Sequence, residues 1–224
     1  PIFYAVQKNI NIQTGQPTIL DFDMQRISQR INIVFNIRTE GNIKREDLAA
    51  PIIELSGACG RFNIADACLD TTRLYRMAHQ VQPDEFTQTG EGTYRCVVHF
   101  HTLGVIPSAA KGHLNGPGIL QVALQVSTPQ LDSSGAPVVD EEGNPVKNSR
   151  YIYGAINPYD ELTAAQLIEV RDGKIYLRYS KEDVNIEITT PLVIKADQIV
   201  PNDTGMGWQP HDPTNPDDDI IIEI

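Results

Sequence analysis

The chain has 224 residues, 41% of them hydrophobic, and a net charge of −11 from 18 Lys and Arg against 29 Asp and Glu. Binders of nucleic acid or of anionic membrane surfaces need a basic face to neutralise phosphates, so this charge argues against both partners. The sequence has no run of 18 apolar residues, and its start, PIFYAVQKN, lacks the basic and apolar regions of a secretion signal, so we expect a soluble protein made in the cytoplasm of its producing cell.

The first part of the chain alternates apolar and polar residues as β-strands with one buried face do. In RINIVFNIR, for example, every second side chain is apolar. The stretch DACLDTTRLYRMAHQ, residues 66–80, is different: an Asp66 cap and an apolar stripe at helical spacing predict a helix. The strands predicted before it lie at residues 3–7, 18–23, 30–38 and 51–55.

Residues 92–126 contain the strongest pattern, two long strands joined by a structured crossing. On each strand four alternate side chains are predicted to face the core. Cys96 is one of them, and because the three cysteines Cys59, Cys68 and Cys96 are an odd number without CxxC spacing, we expect free structural thiols, with a Cys59–Cys68 bridge as the exception. The core-facing residues are Tyr94, Cys96, Val98 and Phe100, then Leu120, Val122, Leu124 and Val126.

The second half predicts a protruding excursion at residues 128–150, a short strand, a short helix at 159–167 and a hairpin around Asp172-Gly173. Two further strands follow at 184–188 and 192–195, and no internal repeat is recognised. Together these elements predict a mainly β fold, an antiparallel β-sandwich of immunoglobulin-like or jelly-roll-like type, with one or two short helices and long loop excursions.

Three segments are predicted: an arm at 1–16, the sandwich at 17–200 and a tail at 201–224. The tail is rich in Pro and Asp, has no Lys or Arg, and ends in IIIEI. Such an apolar run needs a sheet to join, so we predict a docking strand linked to a neighbour. The partner-docking residues of the tail are predicted to be Trp208, Ile220, Ile221, Ile222 and Ile224.

One family resembles part of this chain. The alternating strand Ile33 to Ile37, then Pro107 to Ala110, Gly116 to Gly118 and Leu120 to Val126, are similar to the N-terminal domain of phage baseplate upper proteins and related virion β-sandwich modules. The similarity spans about residues 17–130. It implies a structural virion part that anchors or joins fibres or receptor-binding proteins, and it implies no catalytic residues.

Candidate chemistry is sparse. His99 and His101 form an HxH on one strand face and could share a metal with His113, although two solvent-facing histidines are the preferred interpretation. The acidic residues between Asp132 and Glu142 could hold Ca²⁺, but Asp, Ser and Gly also serve turns. No hydrolase, nucleotide or metalloprotease motif is present. We therefore predict no cofactor, no metal and no enzymatic activity.

The leading functional hypothesis is a structural protein of a bacteriophage virion, in the tail, baseplate or head-fibre. It would form a homo-oligomer and join other virion proteins, without binding nucleic acid or membrane. The alternative is a carbohydrate-binding, lectin-like β-sandwich module, with a host glycan as partner. The sandwich prediction and the loop excursion motivate that alternative.

Overall fold

The computed structural model describes residues 2–41, 43–178 and 183–212. Within these residues the chain forms fourteen strands and one short α-helix. The strands are β1 Phe3–Tyr4, β2 Gln25–Arg26, β3 Gln29–Glu40, β4 Ile52–Asn63, β5 Cys68–Gln80, β6 Phe86–Gly90, β7 Thr93–Thr102, β8 Leu120–Pro129, β9 Lys147–Ile156, β10 Ile168–Arg171, β11 Lys174–Leu177, β12 Val184–Lys195, β13 Gln198–Ile199 and β14 Gln209–Pro210, and the helix is α1 Tyr159–Ala164.

Two large sheets pack in a sandwich-like arrangement, so the mainly β prediction is confirmed. The seven-stranded sheet has the order β10-β11-β5-β4-β8-β9-β14, and the five-stranded sheet has the order β13-β12-β3-β7-β6. Strands β1 and β2 form a separate two-stranded sheet. Short 3-10 turns at Arg45–Asp47 and Pro83–Glu85 lie between strands.

The predicted core faces of the central strands are confirmed. All eight core-facing side chains of β7 and β8 are buried, as are the alternate residues Ile31, Ile33, Phe35 and Ile37 of β3. Because β7 and β8 lie in different sheets, their apolar faces and that of β3 meet in one hydrophobic core. The alternation of apolar residues alone therefore locates the sandwich interior.

One strand pair departs from the antiparallel pattern. β12 runs parallel to β3, with Val184 opposite Ile31, while β7 runs antiparallel on the other side of β3. A parallel pair requires a long crossover connection. Here the chain between β3 and β12 passes through the seven-stranded sheet before it returns.

The helix predicted at 66–80 is wrong, because these residues form strand β5. Ile52 to Asn63 of β4 pair with β5 along most of its length, and this pairing outweighs local helix propensity. The β-branched Thr71 and Thr72 favour the strand. Asp66 lies in the β4–β5 turn, where its carboxylate accepts a hydrogen bond from Asn63 Nδ2 at 3.1 Å. The short helix α1 and the hairpin at Asp172-Gly173 do form where expected.

The two ends of the chain differ from the expectation. Residues 18–23 form no strand, and the chain stays without regular structure from residue 5 to residue 24. At the other end, β14 adds Gln209 and Pro210 to the seven-stranded sheet beside β9, beyond the boundary expected at residue 200.

The cysteines agree with the expectation of free thiols. Cys59, Cys68 and Cys96 are all free and buried. Burial, with a smaller contribution from the Glu85 charge, raises the pKa of Cys96 to about 12, so its thiol stays protonated at neutral pH.

Candidate functional site

The N-terminal arm, residues 2–24, is the most unusual surface of the molecule. Every residue from 6 to 25 is exposed. Nine of the seventeen large hydrophobic side chains exposed in the described residues lie in this arm, and Ile12 and Ile19 are 76% and 84% exposed. Monomeric proteins rarely expose apolar residues in such a concentration, so the arm is a candidate interaction segment.

The arm is attached to the sandwich at its base, and it is exposed from residue 6 onward. The Ile2 N–H donates to Ser28 Oγ at 2.9 Å, and the Ile27 N–H donates to the Ile2 carbonyl at 2.8 Å. Tyr4 packs edge-on against Phe62 with ring centroids 4.9 Å apart. Farther along, Lys8 Nζ donates to the Ala65 carbonyl at 2.7 Å. The arm is therefore presented from a defined root on the sandwich.

An apolar groove of about 470 Å³ adjoins this root, and we call it the root groove. Its walls include Ile2 from the arm, Tyr75 and Met77 from β5, and Leu103 after β7. Gly60 permits the position of the Tyr75 ring, because a Cβ on Gly60 would lie 2.4 Å from it. The same chain thus carries an exposed apolar segment and an apolar groove beside its root.

The excursion, residues 130–146, is a second large projection and is built from two tandem octapeptides. LDSSGAPV at residues 131–138 aligns with VDEEGNPV at residues 139–146, a repeat that the sequence analysis missed. In each repeat the first residue forms an isolated antiparallel β-bridge with the proline: Leu131 with Pro137, and Val139 with Pro145. The signal is the recurrence of Asp, Gly, Pro and Val at the same four positions of each octapeptide.

Each repeat closes a turn on an aspartate. Asp132 Oδ1 accepts hydrogen bonds from the Ser134 N–H at 2.8 Å and the Ala136 N–H at 3.0 Å, and Asp140 Oδ1 accepts the same pattern from Glu142 and Asn144. The Ser134 hydroxyl and these N–H groups lower the pKa of Asp132. These carboxylate oxygens therefore accept the hydrogen bonds that hold the two turns together. This is the turn interpretation that the sequence analysis set against Ca²⁺ binding.

A ring of three backbone hydrogen bonds closes the base of the excursion. The Val138 N–H donates to the Gln130 carbonyl, the Val146 N–H to the Val138 carbonyl, and the Gln130 N–H to the Val146 carbonyl, each at 2.8 Å. The three positions are eight residues apart. The two octapeptide hairpins and the β8–β9 ladder therefore meet at one three-way junction of the backbone.

His99 lies in a polar cluster to which residues of both sheets contribute. His99 Nδ1 lies 2.7 Å from Asn32 Oδ1, and Glu85 Oε1 lies 3.5 Å from His99 Nε2. The other Glu85 oxygen is 2.8 Å from His79 Nε2 of β5. Because β5 and β7 belong to different sheets, Glu85 connects the sheets through two imidazoles.

The electrostatics of this cluster favour the neutral form of His99 and the charged form of Glu85, because the pKa of each group is lowered. Partial burial, followed by the Arg30 charge, lowers the pKa of His99 against an opposing effect of Glu85. Partial burial by itself would raise the pKa of Glu85, but the Gln82 N–H and His79 lower it below its usual value. His101 is exposed and lines the root groove instead. In the described part of the chain no three His, Cys, Asp or Glu side chains are grouped to hold a metal.

Trp208 lies inside the chain's own core. It is 1% exposed, its ring centroid is 5.2 Å from that of Phe35, and its Nε1–H donates to the Thr190 carbonyl at 3.0 Å. This position differs from the partner-docking role expected of it, because a tail residue here completes the sandwich. The predicted docking residues Ile220, Ile221, Ile222 and Ile224 lie outside the described residues.

Comparison with protein families, with curated proteins and with solved structures found no match to this chain. Among the described residues there is no helix with the length and apolar character needed to span a membrane. The assignment of the arm and the root groove as the candidate site therefore rests on the structure of this chain alone. Ile12 and Ile19 were not predicted as site residues, because Ile12 lay in the arm predicted at 1–16 and Ile19 in the strand predicted at 18–23.

Proposed function

We propose that this protein is a structural subunit of a larger assembly, of the virion class that its sequence resembles. It binds copies of itself and other structural proteins, and acts by binding and not by catalysis. The observation that carries this proposal is the N-terminal arm, whose large apolar side chains are exposed along a segment rooted firmly on the sandwich.

The physical argument is that exposed apolar area is stabilised when a partner covers it. Burial of an isoleucine side chain contributes about 1.5–3 kcal/mol. An apolar segment and an apolar groove on one chain can also meet in a closed pair, in which each subunit gives its arm to the root groove of the other. This complementarity supports self-association as the first step of assembly.

The test exchanges exposed apolar side chains in the arm for serine. We expect the Ile12→Ser/Ile19→Ser variant to weaken self-association at least about tenfold, because two interfacial side chains are lost. Light scattering and sedimentation velocity over a concentration series measure this effect. Below the association concentration the melting temperature should not change, since both side chains are exposed and outside the core.

The matched control is Leu131→Ser/Val139→Ser, which removes two exposed apolar side chains of the excursion, 58% and 56% exposed. This variant should assemble like the wild type. A wild-type chain that stays monomeric at its solubility limit, or equal assembly by the arm variant, contradicts the proposal. A monomeric chain that binds immobilised glycans would support the carbohydrate-binding alternative instead.

A further inference from the structure

Within the part of the chain that the structure describes, the outer edge of β9 is open over more than half of its length. On one side β9 pairs with β8 along its whole length, from Lys147 opposite Pro129 to Ile156 opposite Leu120. On the other side, within the described residues, pairing is confined to β14 at Gly154 and Ala155 and to a hydrogen bond from the His211 N–H to the Tyr153 carbonyl at 2.9 Å. Among residues 2–41, 43–178 and 183–212, no strand pairs with the backbone of residues 147–152 on that side.

The alternation of an antiparallel ladder shows which groups face this edge. Because the Tyr153 carbonyl points to β14, the N–H and C=O groups of Tyr151 and Ser149 point the same way. They form a row of donors and acceptors at the end of a large sheet. Such an edge is a template for another strand.

A cavity of about 410 Å³ lies along this edge, and its lining is largely apolar. Tyr151 and Tyr153 stack on the outer face, with centroids 6.2 Å apart. Ile152 and Ile199 line the core side. A strand laid along this edge would therefore gain side-chain contacts on both faces in addition to its backbone hydrogen bonds.

The sequence that follows β14 is poorly suited to extend that strand along this edge. In the register set by β14, residue 213 would be the next to donate to the Tyr151 carbonyl, but it is Pro and has no N–H. In the same register residues 213–217 would lie opposite 151–147, so Ile220–Ile224 would fall beyond the end of β9. To reach the edge of its own subunit, this segment would have to loop out the seven residues before it.

We propose that the open edge of β9 binds the segment Ile220–Ile224 of a second copy of this chain as an added strand. The segment has four isoleucines, a residue type with high β propensity, and three of them alternate onto one face of a strand. Residues 213–219 span at most about 25 Å when extended, which reaches a neighbouring subunit across a shared interface. This inference rests on the proposed role in assembly and gives it a specific contact.

The test uses a synthetic peptide of residues 213–224 labelled with a fluorophore. The acceptor is the full chain with Ile220→Ser, Ile222→Ser and Ile224→Ser, so that its own segment does not compete. We expect saturable binding by fluorescence anisotropy, together with slower amide exchange at Ser149 and Tyr151. Two peptides, N-methylated at Ile221 or at Ile222, are the matched pair.

Successive N–H groups of a strand point to opposite sides, so only one of the two N-methyl groups meets β9. We expect one N-methylated peptide to bind at least about tenfold more weakly than the unmodified peptide, and the other to bind nearly as well. No binding of the unmodified peptide, or equal loss with both modifications, overturns the proposal.

Two controls separate this contact from the arm and from the chain's own segment. The acceptor carrying Ile12→Ser/Ile19→Ser in addition should bind the peptide unchanged, so failure of arm-mediated assembly and failure of the β9 contact are distinguishable. The triple serine variant should also assemble more weakly than the wild type. Peptide binding without any change in assembly would place the segment on its own subunit and overturn the second-copy assignment.

Discussion

The N-terminal arm and the excursion both extend from the sandwich into solvent. They differ in how far their backbone groups are satisfied by hydrogen bonds within the chain. The polar groups of the excursion bind one another: two Asp-centred turns and a ring of three backbone hydrogen bonds form within it. Over residues 5–24 of the arm, by contrast, a single backbone–backbone hydrogen bond forms among the described residues, from the Gln16 N–H to the Gln13 carbonyl at 3.4 Å.

The apolar side chains differ in the same sense. The excursion exposes Leu131 and Val139, one at the same position of each octapeptide. Residues 5–24 of the arm expose seven large apolar side chains and form no strand or helix. A projection that is complete by itself needs no partner, whereas one that leaves both backbone and apolar groups in water gains stability when it is covered. This difference is the main physical support for assembly through the arm.

The largest expected effect is on hydrogen exchange during assembly. When subunits associate, exchange in residues 6–25 should slow at least about tenfold, because the arm becomes covered. Exchange in residues 130–146 should stay the same, since this segment is closed in the monomer as well. Exchange measured by mass spectrometry below and above the association concentration tests both statements. Slowing confined to the excursion would reverse the comparison.

The sequence predicted those elements whose side chains carry the information locally. The alternation in β3, β7 and β8 and the turn at Asp172-Gly173 were sufficient because each strand buries one face. The helix predicted at residues 66–80 was wrong because pairing with β4 stabilises the strand there. Local propensity carries no information about such a distant partner.

The candidate surfaces could be predicted only in part. The octapeptide repeat is visible in the sequence once its two halves are aligned. The β9 edge is not, because it depends on where β14 ends against β9 and on residues more than fifty positions apart. The exposure of Ile19 and Phe22 was also hidden, since an apolar pattern predicts burial in a strand unless the tertiary structure is known.

The second prediction uses two glycines with the same backbone conformation. Gly15 in the arm has φ +84 and Gly143 in the excursion has φ +86, and at neither does an added Cβ meet an atom within 4 Å. Alanine is disfavoured at such φ by about 1 kcal/mol where the backbone is held. We therefore expect Gly143→Ala to speed amide exchange at Val138 and Val146 roughly fivefold.

Gly15→Ala is the control, because an arm that is not held by hydrogen bonds can relax to another conformation. It should leave exchange in residues 6–25 and the melting temperature unchanged in the monomer. Equal effects of the two substitutions would mean that arm and excursion are held equally, and the comparison would be lost.

The smallest expected effect is the pH dependence of the excursion. The pKa of Asp132 is lowered below 3.8, first by the Ser134 hydroxyl and then by backbone N–H groups, and the pKa of Asp140 is lowered first by the Asn144 N–H. Because the folded-state pKa lies below the unfolded-state value, the ionised carboxylates stabilise the turns above pH 3.8, and this stabilisation is lost as the pH falls through the folded pKa. Protection factors at Val138 and Val146, corrected for the intrinsic exchange rate, should therefore be constant near neutrality and fall in acid.

The variant Asp132→Asn/Asp140→Asn keeps an acceptor oxygen at each turn and removes the titration, so its protection should not depend on pH. Wild-type protection that persists down to about pH 2 would mean that the hydrogen-bond ring holds the excursion without the two charges.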